Sequence, residues 1–156
     1  MRVETMNPVE RCMLKWVALL SVALAVVGCA IRQRVDPVPR LDSREICIVN
    51  NPHVREDFLE TYQRALTAKG FQTRILDKSA APSDCPLTST YTANWKWDLA
   101  LYMAFADITI YADGRVVGHA VYDSLGGSGN LGKFINAEAK IKELVDQLFV
   151  NPASGG

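Results

Sequence analysis

The sequence predicts an α+β fold, a single two-layer domain in which two helices cover one face of a mixed β-sheet. Two strand-forming runs flank an amphipathic helical pattern between Glu45 and Leu76, which predicts a parallel β-α-β unit. An alternating segment and a hairpin signal at Asp113-Gly114 predict antiparallel strands behind it. An apolar stripe at helical spacing follows, so the predicted order of elements is β-α-β-β-β-β-α.

The first unit begins with the β-rich run Glu45–Val49 and ends with a second strand at Phe71–Leu76. Between them, Asn51 is expected to cap a helix that has Pro52 in its first position, where a missing amide hydrogen costs nothing. Gly70 supplies the left-handed residue that ends this helix. The face of the helix that should be buried carries Val54, Phe58, Leu59, Tyr62, Ala65 and Leu66.

A half-buried antiparallel strand is predicted to start at Leu87, because polar and apolar residues alternate from there to Trp97. A turn at Trp97-Asp98 leads into a central strand over 99–112, whose first half also suits a helix. Core packing is expected for the aromatic residues of this region. The alternative is an aromatic platform for sugar rings or an apolar partner. These residues are Tyr91, Trp95, Trp97 and Tyr102.

The hairpin signal at Asp113-Gly114 sets the expected pairing of the last two strands. Pairing Ile110 with Val117 places Ile108 opposite His119. His119 would then project from a mainly apolar face, and a lone histidine there is more often structural than catalytic.

A glycine-rich loop over Ser124–Asn130 leads to a second helix, which is predicted over Lys133–Phe149. The residues after Asn151-Pro152 end the chain, and 151–156 are expected to form a disordered tail. The buried stripe of the second helix should consist of Phe134, Ala137, Ile141, Leu144, Val145 and Leu148.

The segment Met13–Cys29 precedes the predicted domain and is typical of a secretory signal. Its apolar core follows Lys15 and has about 16 residues, fewer than the roughly 20 that a membrane-spanning helix needs. The acidic residues upstream of Met13 are unusual in a short positive n-region, so we expect translation to start at Met13. The predicted signal peptide is residues 1–28.

Val26-Val27-Gly28-Cys29 resembles the lipobox of bacterial lipoproteins. The resemblance implies cleavage between Gly28 and Cys29 and attachment of fatty acyl chains such as palmitate to Cys29. Several acyl chains anchor a protein essentially permanently, since each buried methylene contributes about 0.8 kcal/mol. Inner-membrane lipoproteins of Gram-negative bacteria tend to carry aspartate after the cysteine. Ala30 therefore implies the outer membrane, with the domain facing the periplasm.

Two cysteines remain, because Cys12 either leaves with the signal peptide or precedes the translation start, and Cys29 carries lipid. In an oxidising periplasm Cys47 and Cys85 are expected to form a disulfide. The alternatives are a metal pair and two free thiols. No histidine stands at zinc-ligand spacing from either cysteine, so the sequence does not predict a metal site.

Residues 29–44 are predicted to be a lipidated, flexible tether, because charged residues alternate with prolines and no apolar period is present. The globular domain is predicted over residues 45–150. Removal of the signal peptide leaves 128 residues with 14 basic and 15 acidic side chains. That length suffices for one domain, and the balanced charge argues against a nucleic-acid partner.

No catalytic, cofactor-binding or metal-binding motif stands out, so we expect a non-enzymatic protein that needs no cofactor. The loop Gly126-Gly127-Ser128-Gly129 resembles a nucleophile elbow, but Asn130 stands where G-x-S-x-G requires glycine. The chain is also too small for that hydrolase fold, which makes a hydrolase the weakest alternative. The amides of this loop, with Lys133, could hold a phosphate or carboxylate. A small-ligand or anion binder is therefore the main alternative function.

Several stretches of the chain resemble a family of small, uncharacterised proteobacterial lipoproteins: NNPHVREDFLETY, CPLTSTYTANWKWDLALYMAFADI, GHAVYDSLGG and KFINAEAKI. The resemblance covers nearly the whole mature chain and implies a lipid-anchored location without implying an activity. We therefore expect an envelope lipoprotein that acts as a binding or accessory module. Its expected partners are the membrane, through its lipid, and a protein or envelope polymer.

Replacement of Cys29 by alanine is expected to abolish lipid attachment and to leave uncleaved precursor, because the thiol accepts the first lipid. Metabolic labelling with a palmitate analogue, followed by electrophoresis, measures both effects. Ser21→Ala, a change within the same apolar segment that keeps Cys29, is the matched control and should be processed normally. Normal processing of Cys29→Ala would contradict the predicted anchor.

Overall fold

The structure is a computed structural model that describes residues 31–41, 43–127 and 130–150. The predicted signal peptide, the lipidated Cys29 and the predicted tail lie outside the described residues. No helix within the described ranges is both long enough and apolar enough to cross a membrane.

A six-stranded mixed sheet and two helices make up the described chain, which confirms the predicted α+β class. The strands follow the order β1-β6-β5-β4-β2-β3 across the sheet. Their bounds are β1 Arg32–Asp36, β2 Glu45–Val49, β3 Gln72–Leu76, β4 Leu87–Asp98, β5 Ala100–Ala112 and β6 Arg115–Asp123. The helices are α1 Glu56–Ala68 and α2 Ala137–Leu148, with one 3-10 turn at Leu131–Lys133.

The core lies between the helices and one face of the sheet. Tyr62 on α1 is fully buried and its hydroxyl lies 2.7 Å from the hydroxyl of Ser89 on β4, so each satisfies the other inside the core. Burial raises the pKa of Tyr62, because the charged phenolate would lose its hydration there. Other large side chains that are fully buried include Ile46, Ile48, Phe58, Leu66, Met103, Ile108, Ile110, Tyr122 and Leu144.

β2 and β3 pair in parallel around α1, as the sequence predicts. The helix, however, begins at Glu56 with Arg55 in the cap position, so the expected cap at Asn51 is wrong. The Asn51 carboxamide accepts from the His53 amide at 3.1 Å and donates to the Tyr91 carbonyl at 3.0 Å. These two hydrogen bonds therefore hold the turn at residues 51–53 against β4, before the helix starts at Glu56.

The end of α1 agrees with the prediction. Gly70 has φ of 91°, the left-handed conformation that favours glycine. This conformation allows the amide of Phe71 to donate to the carbonyl of Leu66 at 3.1 Å, and the chain turns into β3.

The second helix is shorter than predicted, because it begins at Ala137 and not at Lys133. Asn136 caps it, with its side-chain oxygen accepting from the Ala139 amide at 3.0 Å. Residues 131–133 instead form the separate 3-10 turn, and the ring of Phe134 packs on Tyr102 at 5.4 Å between centroids.

The structure contains the disulfide between Cys47 and Cys85. It joins β2 to the loop that precedes β4, across a separation of 38 residues. Glu45 lies close to both sulfur atoms, but sulfurs that are bonded to each other offer no thiolate to a metal ion.

The hairpin between β5 and β6 forms at Asp113-Gly114, as expected, with φ of 49° and 76° at the two turn residues. The predicted register beyond it is wrong. A bulge beside Ile110 shifts the pairing by one residue, so His119 lies opposite Thr109 instead of Ile108. Because side chains alternate between faces, this shift moves His119 to the face of the sheet opposite the helices.

Part of the predicted tether is a strand of the sheet. Residues Arg32–Asp36 form β1, which pairs antiparallel with β6 along its whole length. The exposed polar sequence of β1 gives no apolar period, and an edge strand needs none, since backbone hydrogen bonds hold it. The flexible part of the prediction is therefore wrong for 32–36, and the sheet has one more strand than expected.

Gly118→Ala is expected to destabilise the protein by about 1–3 kcal/mol, because the new Cβ would overlap the Val38 side chain behind β1. If residues 36–38 were a mobile tether, the same change would stabilise the strand, since alanine restricts the unfolded chain. Urea unfolding measures whether Gly118→Ala lowers or raises the free energy of unfolding. Val38→Ala removes the obstructing methyl groups, so Gly118→Ala should cost less in that background.

Candidate functional site

Lys133, the predicted cation of the anion-binding loop, is held by an acidic partner. Its side chain is 6% exposed, and its ammonium donates to Asp98 Oδ2 at 2.5 Å. It also lies over the rings of Tyr102 and Phe134, at 5.6 and 5.3 Å from their centroids. The hydrogen bond to Asp98 raises the pKa of Lys133, while burial opposes that rise. This ammonium therefore joins the 3-10 turn to the end of β4.

The described part of the glycine loop packs on itself and on the start of the chain. The amides of Leu125, Gly127 and Gly132 donate to acceptors within the loop or at the end of β6. Gly127 is buried, and a Cβ there would lie 3.4 Å from the Ile31 side chain. These three amides are not available to an anion. Ser128 and Gly129, the other predicted loop residues, lie outside the described residues.

A hydrogen-bonded polar group lies on the face of the sheet opposite the helices, where the sequence pattern did not predict one. His119 Nε2 lies 3.0 Å from Asp107 Oδ2, and the hydroxyl of Thr109 donates to the other oxygen of Asp107 at 3.3 Å. A histidine oriented by a carboxylate is two parts of a catalytic triad. Within the described ranges, no serine hydroxyl or cysteine thiol hydrogen-bonds to His119.

A cleft of about 480 Å³ lies at the carboxyl ends of the parallel strands β2 and β3. This is where ligands bind in many open parallel sheets, and the sequence signal that could have found it is the strand-turn-helix junction at Asn50-Asn51. Two hydrogen bonds from Ser79 lower the pKa of Asp77 beside it. The cleft is lined by Val49, Asn50, Asn51, Pro52, His53, Lys78, Ser79 and Thr90.

The aromatic residues of β4 and β5 do not all share the expected core position. Tyr91 is buried and stacks on Phe58 at 5.1 Å, and Trp95 is half-buried with its edge toward the same ring. Trp97 is 72% exposed, so the core prediction is wrong for this residue. At this position β4 is bonded only to β5, because β2, its neighbour on the other side, pairs with β4 only at Thr88 and Ser89.

No family model matches this chain, and no curated protein is similar to it in sequence. Among solved structures, the fold is similar to that of PelC from Paraburkholderia phytofirmans, which crystallised as a dodecamer. The TM-score is 0.53 at 15% identity, over 75% of this chain and 98% of PelC. A single-residue variant of that PelC, also a dodecamer, gives a TM-score of 0.54 at 16% identity over the same shares.

A minor lipoprotein from Acinetobacter baumannii is a more distant match. Its TM-score is 0.36 at 14% identity, over 74% of this chain and 93% of the other. That score is too low to indicate a common fold. The likeness to PelC, at its low identity, shows a common fold and nothing more.

Asp98→Ala is expected to lower the urea midpoint of unfolding, because it leaves the enclosed ammonium of Lys133 without its partner. Adding Lys133→Met should recover much of the loss, since methionine fills the space between the rings without a charge. Asp36→Ala is the control, because it removes a carboxylate from an ion pair with Arg34 in which both side chains are exposed. Equal midpoints for Asp98→Ala and the parent would contradict the structural role of Lys133.

Proposed function

We propose that the protein is a lipid-anchored accessory subunit of the bacterial envelope, which acts by binding a protein or an envelope polymer and works as a homo-oligomer. The lipobox ending at Cys29 supports the anchor, and Ala30 favours the periplasmic side of the outer membrane. The activity proposed is non-enzymatic.

The observation that carries this proposal is the short stretch between the anchor and the sheet. Cys29 precedes the first residue of β1, Arg32, by three residues. Three residues span at most about 10 Å, so acylation of Cys29 would hold one end of the sheet against the bilayer surface. A domain fixed in this way is suited to an assembly on the membrane more than to free capture of a distant ligand.

The likeness to PelC supports the oligomeric part of the proposal, since both PelC structures are dodecamers. The anchor restricts the symmetry that such an assembly can have. Copies related by a rotation axis along the membrane normal all direct Cys29 toward the same membrane. Dihedral symmetry would direct half of the anchors away from it. We therefore propose a closed ring with cyclic symmetry.

The oligomer is tested with the processed, lipidated protein extracted in mild detergent. Native mass spectrometry and crosslinking in intact cells should show a single closed assembly, without a ladder of larger species. A monomer in detergent together with no crosslinked species in cells would contradict the oligomer. Partners captured by crosslinking above the level of an unrelated lipid-anchored control would identify what the accessory subunit binds.

The cleft at the ends of β2 and β3 favours a second candidate function, the binding of a small polar ligand. Lys78 supplies a cation at its rim, His53 an imidazole, and Asn50 and Thr90 polar side chains. This group of donors suits an anionic or hydroxylated compound better than an apolar one. The cleft thus replaces the glycine loop as the location for the ligand-binding alternative.

Thermal shift against a set of envelope metabolites is expected to identify an anionic or hydroxylated ligand if the second function holds. The shift should be lost in Lys78→Ala and kept in Lys142→Ala, which removes an exposed lysine on α2. A shift that Lys78→Ala leaves unchanged would exclude the cleft as the binding site.

A further inference from the structure

Large exposed apolar side chains gather at one end of the sheet. Leu99 is 82% exposed at the turn between β4 and β5, and Trp97 and Leu101 flank it with 72% and 57%. Leu131, which is 77% exposed, lies on the 3-10 turn that Lys133 joins to Asp98 beside this hairpin. We call these four residues, Trp97, Leu99, Leu101 and Leu131, the apolar tip.

The strand register places the apolar tip at the end where the chain enters the sheet. Arg32 pairs with Asp123, Asp123 pairs with Phe105, and Phe105 pairs with Asn94, so the four lie in one row across the sheet. β1 and β5 are each antiparallel to β6 and therefore run in the same direction. Residues that precede Arg32 and residues that precede Phe105 thus leave this row at the same end.

The number of residues along each strand shows how far the tip and Cys29 can each extend beyond this row. Leu99 is six residues before Phe105, which in a strand is roughly 20 Å beyond the row. Cys29 is three residues before Arg32 and reaches at most about 10 Å beyond it. The hairpin therefore extends past the farthest position that Cys29 can occupy along the strand direction.

The chemistry of the tip suits the boundary between lipid headgroups and acyl chains. Tryptophan is enriched at that boundary, where its ring is apolar and its N–H can still find a polar partner. Leucine gains free energy from transfer to the acyl region. The one acidic group of the hairpin end, Asp98, is already paired with Lys133, and pairing reduces the cost of bringing a carboxylate close to lipid.

We propose that the apolar tip inserts into the bilayer beside the acylated Cys29, as a second contact with the membrane. This inference rests on the proposed lipid anchor, because the anchor determines which end of the sheet faces the lipid. With two contacts, the acyl chains and the tip, the sheet stands on the membrane in a fixed orientation. In this proposal the tip contacts lipid, and contact with a second copy of the chain is the alternative that the experiment distinguishes from it.

The test uses the processed, lipidated protein in vesicles of phosphatidylethanolamine and phosphatidylglycerol, with bromine on the acyl chains either near the headgroup or at mid-chain. In the variant Trp95→Phe, Trp97 is the remaining tryptophan, since Trp16 precedes the cleavage site. Its fluorescence should be quenched, and more strongly by bromine near the headgroup. In the reciprocal variant Trp97→Phe, the half-buried Trp95 should be quenched less.

The quenching should be lost when Leu99→Ser and Leu101→Ser are added to Trp95→Phe. Val116→Ser is the matched control, because Val116 is 60% exposed on the hairpin at the opposite end of the sheet. Quenching of Trp97 should not change when Val116→Ser is added to Trp95→Phe.

Vesicle flotation separates failure of the inference from failure of the anchor. Protein that floats with the vesicles but shows unquenched Trp97 would overturn the inserted tip and leave the anchor intact. A blue shift of Trp97 that grows with protein density, without quenching, would place a second copy on the tip and would also overturn the inference. Protein that does not float would overturn the lipid anchor and, with it, the inference.

Discussion

Antiparallel pairing of β1 with β6 determines how the rest of the chain relates to its N-terminus. Each of the five residues of β1 has a partner on β6, and contacts to α2 reinforce the pairing. The Gln33 side chain donates to Glu143 at 2.8 Å, and the Val38 amide donates to the Leu148 carbonyl at 2.8 Å. Residues 32–38 are thus fixed to both layers, and only two residues, Ala30 and Ile31, separate Cys29 from the sheet.

The position of β1 also determines that the long hairpin of β4 and β5 lies at the anchored end of the sheet. The hairpin extends beyond its neighbours at the end where β1 begins, and its bare apolar tip would otherwise be an unfavourable exposed surface. The Lys133–Asp98 pair joins the 3-10 turn to the same hairpin. A membrane-proximal end formed by Ile31, the described part of the glycine loop and the tip is consistent with the proposed anchor, and it leaves the face around His119 for partners. The cleft near Asn51 opens toward this same end, because β2 runs parallel to β4 and β4 ends at the tip.

The sequence predicts the elements whose signals are local, and the structure departs from it where distant residues decide. The β-α-β unit and the Asp113-Gly114 hairpin have strong local patterns and agree with the prediction. β1 was missed because an exposed edge strand carries no apolar period. The bulge beside Ile110 reversed the face of His119, and Gly118, which pairs with Ile110, is the local signal that could have indicated it. Trp97 and Lys133 were misjudged because their surroundings depend on where neighbouring strands stop and on Asp98, 35 residues away.

The height of the far hairpin above the membrane tests the account most directly. Energy transfer from a donor attached at residue 116 to acceptor lipids would measure it on the lipidated protein in vesicles. A sheet that stands on its anchored end predicts one narrow height of roughly 30–40 Å, from the length of β5 at 3.3 Å per residue. A broad distribution that extends to the membrane surface would show a domain on a flexible tether and would contradict the account.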